Sequence, residues 1–225
     1  MAKVIGCMGE SGSGKTTAMR NLPPKETFYI DCDKKGLNWK GWKTQFINVS
    51  DGKNKPEPGR GCYFRTDSFT IVSALLRKIN EQDNLKHIKY VVIDTINGVM
   101  VAEEMRRAKE AGFGKWTDLA QYVWEIFDYC LTMRDNVTVV ILAHSITDTD
   151  DNGIVFTHIR TNGRKLEKLV LESKMTTVVW SVRQDGKYKF ILSADGSTCK
   201  VPMGSFDTDE IENDIMVVIK ALEEY

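Results

Sequence analysis

The stretch "GESGSGKTT", Gly9–Thr17, decides how the rest of the chain is read. It fits glycine, any four residues, glycine, lysine, then serine or threonine, with Gly9, Gly14, Lys15 and Thr16 in the fixed places. At average glycine usage the pattern arises by chance in roughly one chain in a hundred of this length. Its flanks sharpen it. The apolar run Val4–Met8 reads as a strand entering the loop, and residues 16–22 read as a helix stopped by Pro23 and Pro24. Glycines between strand and helix let the backbone wrap with its N–H groups inward, and the helix adds the positive end of its dipole. The stretch therefore predicts a phosphate cradle made of Gly9, Glu10, Ser11, Gly12, Ser13, Gly14, Lys15, Thr16 and Thr17. Lys15 would reach the terminal phosphates of ATP, and the Thr16 hydroxyl would hold Mg²⁺. The competing reading, a Gly/Ser turn that binds nothing, does not account for the strand and helix on either side.

The bulk properties fit this and narrow it. A length of 225 residues makes one domain, 1–225, the first expectation, with room for a sizeable core. Charged residues at 28% and apolar ones at 42% are ordinary for a globular protein. The formal net charge is zero, so contact with a polyanion must come from local patches. Five scattered cysteines, without a C-x-x-C pair, predict reduced thiols rather than a disulfide framework or a zinc site. The absence of a membrane-length apolar run and of a signal peptide predicts no membrane partner and a cytoplasmic location.

Along the chain, "TFYIDCD" (27–33) reads as a second buried strand, followed by a polar loop with Trp39 and Trp42. Residues 50–62 read as a surface loop, and Asp67 or Ser68 as the cap of a helix with Ile71, Leu75, Leu76 and Ile79 at helical spacing. "KYVVIDT" is a further strand, ending in Asp94. Residues 97–111 and 117–134 read as two helices and "NVTVVILAH" as a fourth buried strand. Asn152 and Gly153 mark a hairpin-like excursion, and 165–172 a short helix. Asp185 and Gly186 join two alternating runs in a hairpin, and a helix from about 209 to 224 closes the chain. Strands alternating with helices predict an α/β fold: a mostly parallel sheet covered on both faces, with the late hairpin adding antiparallel strands at one edge.

In such a sheet, ligands bind at the carboxyl ends of strands. Asp94 stands where a magnesium-holding carboxylate belongs, as partner of Thr16. Asp33, with Asp31 as the alternative, is the candidate to orient an attacking water, since Thr95 follows Asp94 where many ATPases carry glutamate. The competing reading of Asp33 is a solvated strand end beside Lys34 and Lys35. His144, at the end of "VVILAH", either senses the γ-phosphate and moves the loop that follows, or is a satisfied structural histidine. "NKPE" (54–57) carries Glu in the last place and precedes Asp94, the wrong order for a guanine-reading motif. The catalytic set of protein kinases is also missing.

These residues resemble the phage-encoded P-loop ATPases with a RecA-like core, AAA-type nucleotide-binding proteins that accompany recombination and single-strand annealing genes. "GESGSGKTT", "FYIDCDKKGL", "YVVIDTIN", "KWTDLAQYVWEIF" and "VTVVILAHSI" with "GRKLEKLVLESKMTTVVW" carry the resemblance, over roughly residues 3–192. Such proteins commonly have Glu where Asp33 stands, a longer arm, so hydrolysis here is expected to be slow or stimulated by DNA. The resemblance implies that the segment after the sensor strand faces single-stranded DNA. There Phe156, Arg160, Arg164 and Lys165 are candidate contacts beside His158, with Asp148, Asp150 and Asp151 opposing them. It also implies stacked subunits, a homo-oligomer, in which Arg183, Lys187 and Lys189 reach a neighbour's nucleotide; lysines that merely discourage edge pairing are the alternative. Phage single-strand binding or recombination proteins are further implied partners, and the host cytoplasm the implied location. Two other functions compete with a DNA-directed ATPase. One is a small-molecule or nucleotide kinase, for which the 152–164 excursion is poor in arginine. The other is an ATP-gated interaction module that does not hydrolyse.

Overall fold

The computed structural model describes residues 2–57, 59–112, 114–149, 153–162 and 170–224. Its strands are β1 Lys3–Gly9, β2 Thr27–Asp31, β3 Phe46–Asn48, β4 Gly61–Arg65 and β5 Tyr90–Asp94. They continue with β6 Thr138–Thr149, β7 Val155–Ile159, β8 Thr177–Gln184, β9 Lys187–Ile191 and β10 Glu210–Glu212. The α-helices are α1 Lys15–Ala18, α2 Trp42–Gln45, α3 Phe69–Glu81, α4 Ile96–Arg106, α5 Gly114–Thr132 and α6 Ile215–Glu223.

The sheet runs β10-β9-β8-β1-β6-β5-β2-β4-β3, with β7 off this path, paired to β6 and bridged through Thr157 to Ser197. Every neighbour from β8 to β3 is parallel, while β9 and β10 are antiparallel. The expected mostly parallel α/β sheet is thus present. Its strands are continuous apolar runs because both faces are covered. One face packs Val4, Phe28, Ile30, Val91 and Ile93 under α3, α4 and α5. The other packs Ile5, Cys7, Val92 and Leu142 under α1 and α6.

Several boundaries differ from the expectation, each for a local reason. β2 stops at Asp31, where the Asp31 carboxylate accepts the Gly36 N–H and turns the chain, so Asp33 lies in a loop. Residues 46–48 and 61–65 pair as parallel strands that hydropathy did not reveal. β3 is three residues long, and β4 emerges from a Gly/Pro-rich loop. In α3, Phe69 and Val72 join Leu75, Leu76 and Ile79 in the core, while Ile71 faces out. The late hairpin forms with Asp185 and Gly186 at positive φ, but its first arm, β8, pairs parallel with β1 inside the sheet. The closing helix starts at Ile215, capped by Asp214 accepting from the Met216 N–H, because 210–212 is taken up as an edge strand. β6 runs five residues beyond His144 and pairs with β7, giving the expected hairpin. The helix expected at 165–172 lies mostly outside the described residues, and Leu171–Lys174 is a 3-10 turn.

Candidate nucleotide site

All parallel strands point the same way, so the loop after β1 and the ends of β2, β5 and β6 share one rim of the sheet. Gly14, at φ 99°, caps α1, and a Cβ there would meet the Tyr188 ring at 2.8 Å. Glycine is thus required twice over, by dihedral and by contact. At Gly9 a Cβ would collide with the Ser181 carbonyl and the Ser13 hydroxyl, which holds the start of the loop tight against β8. Ser181 Oγ donates to the Ser13 carbonyl at 2.8 Å and accepts from Asn213 Nδ2 at 3.0 Å. Glu10 and Ser11 are exposed, and Thr17 Oγ1 donates to Asn38 Oδ1 at 3.1 Å.

Lys15 is buried beneath the loop, its Nζ donating to the carbonyls of Gly9 at 2.8 Å and Glu10 at 2.7 Å. Burial holds its ammonium below the ordinary lysine value, with Asp94 and Asp33 pulling the other way. Thr16 Oγ1 donates to Asp94 Oδ2 at 2.7 Å, joining the two residues predicted as a pair. Tyr29 donates to the same oxygen at 2.5 Å. Asp94 Oδ1 is buried without a hydrogen-bond partner among the described residues. Burial raises the Asp94 carboxyl above its ordinary value, against the pull of Lys35 and of its two hydroxyl donors. An orphaned, buried carboxylate oxygen beside a threonine hydroxyl is a hard-oxygen donor set. It is of the kind that would suit a Mg²⁺ ion.

The two tyrosines behind this site were not foreseen. Tyr29 lies opposite Val92 in register and reaches Asp94, two residues further along the neighbouring strand. Tyr63 lies opposite Tyr29 and reaches Asp31 by the same diagonal step. Each strand therefore orients the terminal carboxylate of the next. Nothing in a buried aromatic-rich strand advertises that its hydroxyl is the functional atom.

β2 ends at Asp31, so Asp33 lies beyond the strand, which corrects the expectation of a strand over 27–33. Asp31 is buried and held by Tyr63 and the Gly36 N–H, so it shapes the loop that follows. Asp33 sits over the start of α4, accepting from Lys35 Nζ at 2.7 Å and Thr95 Oγ1 at 3.3 Å. His144 lies opposite Gly9 in register, half-buried. Burial and then the positive charge of Lys15 lower its imidazole below the ordinary histidine value, which favours the neutral ring. Asn97, in the first turn of α4, accepts from the His144 N–H at 2.7 Å and donates to the Arg160 carbonyl at 2.7 Å. The helix after Asp94 is thereby pinned to the end of the His144 strand and to the chain leaving β7.

Candidates beyond the rim are more dispersed. Phe156 is exposed on β7 and stacks with His158, whose Nε2 is 3.1 Å from Asp148. Arg160 is exposed, while Arg164 and Lys165 lie outside the described residues. Arg183 stacks on Tyr188 at 5.3 Å and, with Trp180, lines a cleft of about 450 Å³ against Glu10–Ser13 of its own chain. Lys189 pairs with Glu210 at 2.6 Å, and Lys187 is exposed at the hairpin tip.

A protein-family model described as an AAA domain matches residues 1–199. The chain belongs to this AAA-domain family. It is an AAA-type P-loop domain of the ATP-binding class, and the sheet is that of a RecA-like P-loop fold. No curated protein matches it. The family match stops short of the segment that buttresses the AAA domain's phosphate loop. There Arg20 donates to the Asn213 carbonyl at 2.8 Å, and Asn21 donates to Asp214 at 2.5 Å. Among the described residues, no helix is long and apolar enough to cross a membrane.

Proposed function

We propose that this AAA domain is a Mg²⁺-dependent ATPase of RecA-like type that acts on single-stranded DNA in phage recombination or annealing. The observation that carries the reading is the Thr16–Asp94 pair with the orphaned Asp94 oxygen, set directly beneath a glycine-wrapped loop and its buried lysine. The loop amides of Gly9–Thr17 bind and orient the triphosphate, and Lys15 leaves the Gly9 and Glu10 carbonyls to meet its terminal phosphates. Asp94 and Thr16 would hold Mg²⁺, which when bound neutralises charge on the phosphate oxygens. Asp33 accepts a hydrogen bond from the attacking water, and His144, neutral, contacts the γ-phosphate and transmits its loss through Asn97 to the β6–β7 hairpin. Association into a homo-oligomer, work alongside phage single-strand binding or recombination proteins, and residence in the host cytoplasm belong to the same proposal.

The pairing of Asp33 with Lys35 supports slow basal hydrolysis and keeps a non-hydrolysing module as the second reading. Single-turnover phosphate release from wild type that vanishes in Asp33→Ala would exclude that second reading. The principal test is an ATPase assay with and without single-stranded DNA, repeated on Lys15→Ala. Activity indifferent to DNA, together with no retention on DNA when ATP is present, would end the DNA part. No hydrolysis by the wild type would end the ATPase part.

A further inference from the structure

We propose that the single strand lies in a basic, aromatic cavity lined by the loop after β2, the segment entering β3 and the two ends of β4, away from the β6–β7 hairpin. This rests on reading the chain as a DNA-directed ATPase. The cavity holds about 600 Å³ and runs along β3 and β4, from Lys34–Gly36 beyond β2 and Arg65 at the end of β4 to Lys43 and Arg60 ahead of β3 and β4. Lys34, Lys35, Lys43, Arg60 and Arg65 line it against a single carboxylate, Glu57. In a chain of zero net charge this is a concentrated excess.

Part of that charge is already used. Lys34 pairs with Asp67 at 2.6 Å and Lys35 with Asp33 at 2.7 Å. Arg60 gives one nitrogen to the carbonyls of Lys43 and Phe46 and so braces the wall, while its Nε is buried without a partner among the described residues. Lys43 and Arg65 are exposed and form no ion pair among the described residues. They are the two charges left for a ligand. Lys43 Nζ lies over the Trp42 ring, 5.8 Å from its centroid, and the indole is backed by Tyr63 at 5.0 Å and closely flanked by Gly36, where a Cβ would meet it at 3.3 Å.

A braced indole in a cavity that also holds Lys43 and Arg65 matches what a single strand offers: a π-face on every base and a phosphate at every step. The cations stand on three separate segments, 34–35, 43 and 60–65, around an open cavity, an arrangement suited to a backbone that passes through. The β6–β7 hairpin is the poorer surface, since Asp148 already engages His158 there.

The test is fluorescence anisotropy of a labelled oligo-dT with the full chain, ATP and Mg²⁺ present, titrated across salt. Lys43→Gln/Arg65→Gln is expected to weaken binding about ten-fold or more and to reduce the salt slope by about 1.4, since each single-strand phosphate contact contributes about 0.7. Lys25→Gln/Lys78→Gln, the same charge change on exposed sites outside the cavity, is expected to leave both unchanged. Trp42→Phe keeps an aromatic face and retains most affinity, while Trp42→Leu loses it. Unlabelled oligo-dT should displace the probe at concentrations where dTMP and inorganic phosphate do not. Equal displacement by the monophosphates would make the cavity a small-anion site and overturn the proposal. Unchanged binding by Lys43→Gln/Arg65→Gln would overturn it while leaving the DNA-directed ATPase intact. No oligo-dT binding by the wild type would end both.

Discussion

The phosphate-loop centre and the basic cavity belong to one sheet and share the loop after β2, yet they are built by opposite means. At the centre, Lys15, Thr16 and Asp94 are buried, and backbone carbonyls and tyrosine hydroxyls fix each polar atom they bond. In the cavity, Lys43 and Arg65 are exposed and outside any ion pair among the described residues, while Trp42 and Arg60 are braced and Lys34 and Lys35 are paired. A buried polar group missing its partner costs far more than an exposed one, so substitutions at the centre should act steeply and those in the cavity by degrees. The two regions meet in residues 31–36, where Asp31 anchors the loop, Asp33 faces the centre and Lys35 lines the cavity.

The largest effect should come from Lys15→Ala. Removing the charge meant for the terminal phosphates is expected to cut hydrolysis by about 10²-fold or more, measured as phosphate release at saturating ATP. A loss under about ten-fold would mean that the buried lysine is a loop brace and not a phosphate ligand. Next, Tyr29→Phe leaves Asp94 Oδ2 with Thr16 alone inside the core. Urea unfolding should report a loss of about 1–3 kcal/mol. A neutral result would show that the strand-to-strand tyrosine ladder is incidental.

Lys35→Ala probes the junction. With its cation gone, Asp33 is free to accept from water, so basal hydrolysis should rise several-fold and stimulation by single-stranded DNA should shrink. A fall in basal rate, with stimulation intact, would separate the cavity from the centre.

How far the sequence revealed these regions follows the same divide. The glycine loop was legible because its chemistry is contiguous: nine residues carry the backbone geometry, the ammonium and the hydroxyl. Asp94 was legible because a long apolar run ends there. Asp33 was misplaced because alternation along an apparent strand cannot reveal that the Asp31 carboxylate turns the chain two residues earlier. β3 and β4 went unread since three and five residues beside a Gly/Pro loop give no period to count, and with them went the cavity they frame. Tyr29, Tyr63 and Asn97 act across strands and helices by diagonal contacts that only register reveals. The 3-residue strand β10 and the Asn213–Asp214 turn behind the phosphate loop were likewise read as part of a terminal helix.

The smallest and most discriminating expectation concerns acid–base linkage at Asp94. Burial raises its carboxyl above the ordinary 3.8, so the folded state holds that proton to higher pH than the unfolded chain does. Between pH 3.8 and the raised folded value the native state binds more protons, and Asp94 therefore subtracts stability as pH rises. Asp94→Asn has no proton to lose. The melting temperature of Asp94→Asn minus that of wild type, measured without nucleotide or magnesium, should thus grow from pH 4 to pH 7. With ATP and Mg²⁺ added at pH 7 the order should narrow or invert, since only the wild type offers a charged oxygen for the ion to stabilise. Lys43→Gln/Arg65→Gln, carried through the same scan, should stay within about 0.5 kcal/mol of wild type at every pH, as exposed, unpaired charges do. A pH-independent gap for Asp94→Asn would mean that its orphaned oxygen is solvated after all, and the contrast between a desolvated centre and a solvated cavity would lose its physical basis.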